Sequence, residues 1–457
     1  MRVCFALLVS SLAAIAAEPV DWVLTARFVV TMDAQRRVIE NGAVAVRGSD
    51  IVAVGPAREI AASYTGKYHI DRGPAILMPG LINTHTHAPM SLLRGIADDM
   101  VLQQWLEKFI FPAEARNVTP DFVRWGTLLA CAEMMLSGTT TYTDMYYFED
   151  TMAAATKECG MRAVLGETII GFPSPDFKTP ADALAGAEKF IQNFKGDALI
   201  VPAPAPHAIY TNSKETLQAA ARLADRYGVP MLIHVSETEK ENQDSLKANG
   251  ATPTAYLDAI GALARRTVFA HGVWTTPADW KIIAARGIGV AHCPSSNMKL
   301  ASGIAPIAAM LKAGLTVGLG PDGPAGSNND FNMFEEMDLA AKLAKVSTRD
   351  PQAVPAKTAV EMATINGARV LGLQDKIGSL EPGKRADLIT VRIDQPNAIP
   401  WHDPYSMLVY ALKGSDVRDV MIHGRLTVFD REVRTIDLNR VLARAAAIRG
   451  QVTRSLE

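Results

Sequence analysis

The sequence predicts an α/β protein: a (β/α)8 barrel of the TIM type, with a small β-sandwich domain assembled from both chain ends. Three observations carry that prediction. Short β-like runs at the two ends flank a long middle in which strand and helix patterns alternate. Eight strand candidates can be counted in that middle, the number a closed barrel needs. Polar side chains then gather at the C-terminal ends of those strands, where a barrel puts its working rim.

In chain order, residues 1–17 read as an export leader. Met1-Arg2 is followed by an apolar run broken only by Ser10 and Ser11, and Ala14-Ile15-Ala16 precedes Ala17. The run is short for a permanent membrane span, so no stable anchor is expected and the mature chain is placed in the periplasm or outside the cell, with the cytoplasm as the alternative. Residues 18–74 form the first part of the β-domain, with runs such as Gly42-Ala-Val-Ala-Val and Ile51-Val-Ala-Val ending at turn residues. The barrel follows over 75–370, with strands at 76–83, 139–144, 163–168, 200–205, 231–235, 267–270, 287–291 and 316–320. Residues 371–457 return to the β-domain and end in a helix. The 457 residues suffice for both parts, since a barrel takes about 250.

Composition excludes several classes. Lys+Arg number 46 and Asp+Glu 48, a net charge of −2 with no basic stripe, which argues against a nucleic-acid partner. Cys4, Cys131, Cys159 and Cys293 are widely spaced, so neither a disulfide framework nor a cysteine zinc knuckle is expected.

Strand periodicity alone equally permits an open doubly wound sheet. The polar residues decide for the barrel, because a closed rim collects every strand end. The ends carry His85-Thr86-His87, Asp144, His207, His234 with Glu237, His271, His292 and Asp322, which include six of the nine histidines. His85 and His87 are two apart on a strand and share one face. With His234 and Asp322 they make a nitrogen-and-oxygen donor set suited to one divalent metal ion, Zn²⁺ first, with water as the remaining ligand. Glu237 stands where it can carry a proton between that water and a substrate nitrogen. His271 is the next rim residue, able to hydrogen-bond the attacking oxygen. The fourth strand holds no lysine for a second, bridged metal.

Pro79-Gly-Leu-Ile-Asn-Thr-His-Thr-His, His234-Val-Ser-Glu-Thr, Ala291-His-Cys-Pro-Ser-Ser-Asn-Met-Lys-Leu-Ala-Ser-Gly and Leu319-Gly-Pro-Asp-Gly resemble the amidohydrolase superfamily. Gly378-Ser-Leu-Glu-Pro-Gly-Lys-Arg-Ala-Asp-Leu resembles the segment by which those chains re-enter their β-domain. Within the superfamily the chain is most similar to the methylthioadenosine/S-adenosylhomocysteine deaminases, with the s-triazine hydrolases close behind. The resemblance implies metal ligands His85, His87, His234 and Asp322, proton shuttle Glu237, and His271 beside the attacking water. It further implies that Glu114 binds the ribose hydroxyls, that Trp105 packs near the nucleoside, and that His207 contacts substrate. A carboxylate suits a vicinal diol because it accepts two hydrogen bonds.

The implied reaction is hydrolytic deamination at C6 of an adenine nucleoside, giving the inosine-type product and ammonia. The loop Gly166-Glu-Thr-Ile-Ile-Gly-Phe-Pro-Ser-Pro-Asp-Phe-Lys lacks the arginine often found there in the family. Its bidentate grip on an amino-acid carboxylate is not replaced by the point charge of Lys178, which favours methylthioadenosine or adenosine over S-adenosylhomocysteine. An s-triazine or guanine-like ring hydrolase on the same metal site is the alternative, and a binding barrel with a dead site the rival of another class. The expected partner is a small purine nucleoside, with self-assembly into a homo-oligomer compatible with the chain.

Overall fold

Two sheets organise the chain in the computed structural model, which describes residues 17–456. The leader expected over 1–17 therefore lies, Ala17 apart, outside the described residues. Among the described residues no helix is long and apolar enough to cross a membrane.

The first sheet is the β-sandwich. Its nine strands come from both chain ends, and the halves meet where Ala75–Pro79 pairs antiparallel with Leu388–Arg392. Leu24, Val44, Ile51, Leu77, Leu388 and Met421 fill the apolar core between its layers.

The second sheet is the barrel, eight parallel strands in sequential order around the ring. They are Leu81–Thr86, Thr139–Tyr146, Arg162–Ile169, Ile200–Pro206, Met231–Val235, Thr267–His271, Gly289–His292 and Thr316–Leu319. The eighth pairs with the first at Leu319 and Asn83. The fourth meets the fifth through a bridge between Ala208 and His234. Pro202, Pro204 and Pro206 sit at alternate positions of the fourth strand and remove N–H donors from one edge only. The ladder to the third strand therefore survives, with the His207 N–H donating to Ile169 O at 3.0 Å. Inside the barrel Ile82, Met145, Val164, Ala203, Leu232 and Val268 make a packed core.

Two expectations are corrected. The run 76–83 is two strands, not one, and the chain passes from sandwich to barrel at Gly80. The Gly80 N–H donates to Asp387 O at 3.0 Å, while a Cβ built there would lie 2.1 Å from the Thr140 side chain. Only glycine lets the strands cross so closely. Gly80→Ala is expected to cost about 1–3 kcal/mol through overpacking, read as a lower urea midpoint at unchanged slope. The buried Arg162–Asp387 ion pair, 2.8 Å long, joins the two sheets at the same place.

The terminal helix Leu438–Leu456, grouped by sequence with the β-domain, packs instead on the barrel helices Phe111–Asn117 and Pro120–Leu136. Val441, Ile448 and Val452 bury its apolar face, and Arg444 pairs with Asp121 at 2.7 Å.

Candidate active site

Barrel closure brings the strand-end residues to one place. His85 and His87 leave the first strand, His234 the fifth, His271 the sixth, and Asp322 follows the eighth. The ring of His85 lies 5.0, 4.9 and 5.2 Å from those of His87, His234 and His271. Donor atoms of His85, His87 and Asp322 fall within 4.8 Å of one another, as do those of His85, His234 and His271. The Asp322 Oδ1 lies 3.3 Å from His85 Nε2 and 3.4 Å from His87 Nε2.

This set fits a divalent metal ion. A carbonyl can only accept, so the Nδ1 of His87, 2.7 Å from Met145 O, must carry that ring's proton. The Nδ1 of His234, 2.8 Å from His207 O, does the same. Each ring thereby turns an Nε2 lone pair to the centre, the arrangement by which surrounding groups orient metal-binding histidines. The Nε2 of His85 is buried without a hydrogen-bond partner. Burial keeps the imidazoles neutral, lowering His85 to about 4 and holding His234 well below the usual range. Burial alone would raise Asp322; the imidazoles crowded against it, His85 first at 3.3 Å, instead hold it well below the usual carboxylate range.

The carboxylate of Asp322 is itself anchored. Its Oδ2 accepts from Ser296 Oγ at 2.7 Å and its Oδ1 from the Gly323 N–H at 2.6 Å. Its φ of +66° is a left-handed turn, as is the +71° of His271. Such strained backbone in non-glycine residues clusters where a fold must aim a side chain. The Nδ1 of His271 lies 3.0 Å from Asn297 Oδ1, and its Nε2 lies 3.8 Å from Glu237 Oε2. Glu237 is buried, and burial, then the charge of Asp322, pushes its carboxyl well above the ordinary value.

The centre opens into a pocket of about 580 Å³, mouth included, whose wall carries Trp105, Glu114 and His207. Trp105 is fixed by its indole N–H, which donates to Ala325 O at 2.8 Å. Leu102, Leu106, Ile110 and Phe111 stand on the same side of the segment 102–117 and make the wall apolar. Glu114 is buried there with its Oε1 unpartnered, beside Tyr146 and Tyr147. Burial raises it to about 8, against the opposing effect of the two tyrosine hydroxyls. The ring of His207 sits 4.8 Å from that of His234. Among the described residues neither Lys178 nor any other lysine or arginine lines the pocket. His292 is buried away from the lining, and Asp144 holds the turn after His87 by accepting from the Ala88 N–H at 2.5 Å.

Sequence reasoning did not single out the supporting groups Ser296, Asn297, Tyr146, Tyr147 and Glu241. Ser296 and Asn297 lie inside the conspicuous segment after the seventh strand, which was the only signal for them.

A family model described as the amidohydrolase family matches residues 76–427. The chain belongs to the amidohydrolase family. It is 46% identical over 428 residues to a 5-methylthioadenosine/S-adenosylhomocysteine deaminase of Syntrophobacter fumaroxidans, covering 94% of this chain and 97% of the relative. Among solved structures it is similar to an adenosine deaminase from Xanthomonas campestris with bound zinc. The TM-score is 0.94 and the identity 40%, over 96% of this chain and 99% of the other. An atrazine chlorohydrolase from Arthrobacter aurescens complexed with zinc follows at TM-score 0.86 and 26% identity, over 94% and 100%.

Proposed function

We propose that this amidohydrolase deaminates an adenine nucleoside at C6, releasing ammonia and the inosine-type product, with one zinc ion held by His85, His87, His234 and Asp322. The observation that carries the substrate is Glu114, a buried carboxylate with an unpartnered oxygen in the same pocket as the donor set. A ribose diol offers it two O–H donors set side by side. The names of the deaminase relatives support the same reading.

The ion, when bound, makes water nucleophilic near neutral pH. The chain's residues do the rest. Asp322 takes up a proton from the attacking water, and His271 hydrogen-bonds the oxygen as it approaches C6. Glu237 delivers a proton to the ring nitrogen next to C6, so that the ring accepts the electron pair. Glu237, left as a carboxylate, then takes the C6 hydroxyl proton as the carbonyl forms and passes it to the leaving nitrogen; the C6–N bond breaks, ammonia departs, and the proton held by Asp322 resets Glu237. Trp105 packs against the nucleoside, and His207 reaches it from the fourth strand. The apolar wall without a cation suits a 5′ methylthio or hydroxyl group and leaves an amino-acid carboxylate unpaired.

The test is ammonia release from methylthioadenosine, adenosine, S-adenosylhomocysteine, guanine and a chlorotriazine. Turnover of the first two supports the reading. Turnover of guanine or triazine alone would overturn the substrate assignment and leave the metal site standing. Glu114→Gln is expected to raise KM for the nucleosides about tenfold to hundredfold, the scale of a lost hydrogen bond to a charged group. The sign of the pH effect follows from its value of about 8. The diol prefers the carboxylate, so KM should fall as pH rises toward that value, and the glutamine variant should lose this dependence.

A further inference from the structure

Between the fifth strand and the helix Glu239–Asn249 the chain turns at Ser236, whose φ of +54° lies in the left-handed region. A serine there needs something to hold it. The holder is Glu241. One of its carboxylate oxygens accepts from the Ser236 N–H at 2.9 Å, and the other from the Glu237 N–H at 2.8 Å. Its own N–H donates to Thr238 Oγ1 at 3.2 Å, the cap of that helix, so the carboxylate is anchored on a rigid element. On the opposite side the Trp274 N–H donates to Ser236 O at 2.9 Å, and Asn242 Nδ2 donates to Trp274 O at 2.6 Å. The kink is thus gripped from two directions, and it sets where the Glu237 side chain points. Glu241 is buried behind the kink and does not line the pocket.

We propose that Glu241 is a positioning residue of the reaction: its two-pronged grip on the Ser236 and Glu237 N–H groups aims the Glu237 carboxyl at the reacting nitrogen. This rests on the deaminase reading, in which Glu237 carries the proton. Glutamine at 241 keeps the shape, but its one oxygen serves one N–H while its NH₂ group confronts the other. Glu237 then keeps its chemistry and loses its aim.

The experiment compares adenosine with 6-chloropurine riboside on the zinc-loaded enzyme. With adenosine, C6–O forms, C6–N breaks, and the nitrogen must be protonated to leave as ammonia. With the chloride, C6–O forms and C6–Cl breaks with the electron pair leaving on chlorine, so the leaving group takes no proton. Glu241→Gln is expected to lower kcat on adenosine about tenfold to hundredfold, the effect of one charge-assisted hydrogen bond. KM should stay within about threefold, since the loss falls on the transition state alone. Zinc content should match wild type, and the melting temperature should fall by only a few degrees. The chloride-to-amine ratio of kcat should rise, as it should in Glu237→Gln. Equal losses on both substrates would show that proton delivery to the leaving nitrogen is not what Glu241 serves and overturn the proposal, as would an unchanged kcat. If Glu241→Gln loses zinc or fails to fold, Glu241→Asp carries the same readouts. Its shorter carboxylate reaches one N–H, so a smaller loss with a raised ratio supports the proposal and equal losses overturn it. Wild-type silence on both purines overturns the deaminase reading; an active wild type with an unaffected Glu241→Gln overturns this inference alone.

Discussion

Glu237→Gln, purified with its metal, should lose about 10²–10⁴ of its kcat on methylthioadenosine, the range by which a positioned proton carrier accelerates a reaction. Glutamine has the size of glutamate and can hydrogen-bond, but it cannot give up or take back a proton. Burial and the nearby Asp322 charge push the Glu237 carboxyl well above its ordinary value, so it holds a proton more tightly than a solvent-exposed glutamate does. A carboxylic acid with a raised value can donate to a ring nitrogen and then be reset by the attacking water. The variant should bind its usual zinc, because Glu237 is not among the four proposed ligands. KM should change little, because the interaction is made in the transition state. Ammonia release under single-turnover conditions, with metal analysis on the same sample, is the measurement. Residual activity within about tenfold of wild type would sink the proton-carrier role.

The parts of this site that sequence revealed are those fixed by local geometry. His85 and His87 share a strand face by alternation alone, and eight strand ends with polar residues leave few architectures besides a closed barrel. The sandwich-to-barrel junction was misplaced although the turn dipeptide Pro79-Gly80 interrupts the run, because apolar residues on both sides of it read as one strand. The turn dipeptide marks the place, but the close approach of Thr140 that makes glycine necessary there is a tertiary contact. The terminal helix shows its apolar face in the sequence but not which surface receives it. Glu241, Ser296 and Asn297 were invisible for a different reason. Ser296 and Asn297 act on a carboxylate and a ring that the fold brings to them, and Glu241 on backbone N–H groups turned toward it by the kink at Ser236. Glu114 was legible only through resemblance, since its burial against Tyr146 and Tyr147 arises when the segment 102–117 folds over the barrel mouth.

His85→Ala should be the most damaging single change, and the geometry says why. His85 is the one residue common to both donor groups, with its Nε2 buried and pointed at the centre. Without it the remaining donors lose their hub, and Asp322 loses the partner that holds its charge in a buried place. Zinc affinity and catalysis should therefore fall together, turnover by at least about 10³, on the scale of what bound zinc contributes by activating water. Stability provides an independent check. A metal that binds only the folded chain stabilises it by about 4 kcal/mol at a thousandfold excess over its Kd. Stripping wild type with a chelator should lower its melting temperature, and zinc should restore both melting temperature and turnover. His85→Ala should melt near the stripped wild type and respond to added zinc in neither property. A variant that kept its zinc and turned over within about tenfold of wild type would show that the centre is built around other donors, most directly His234 and His271.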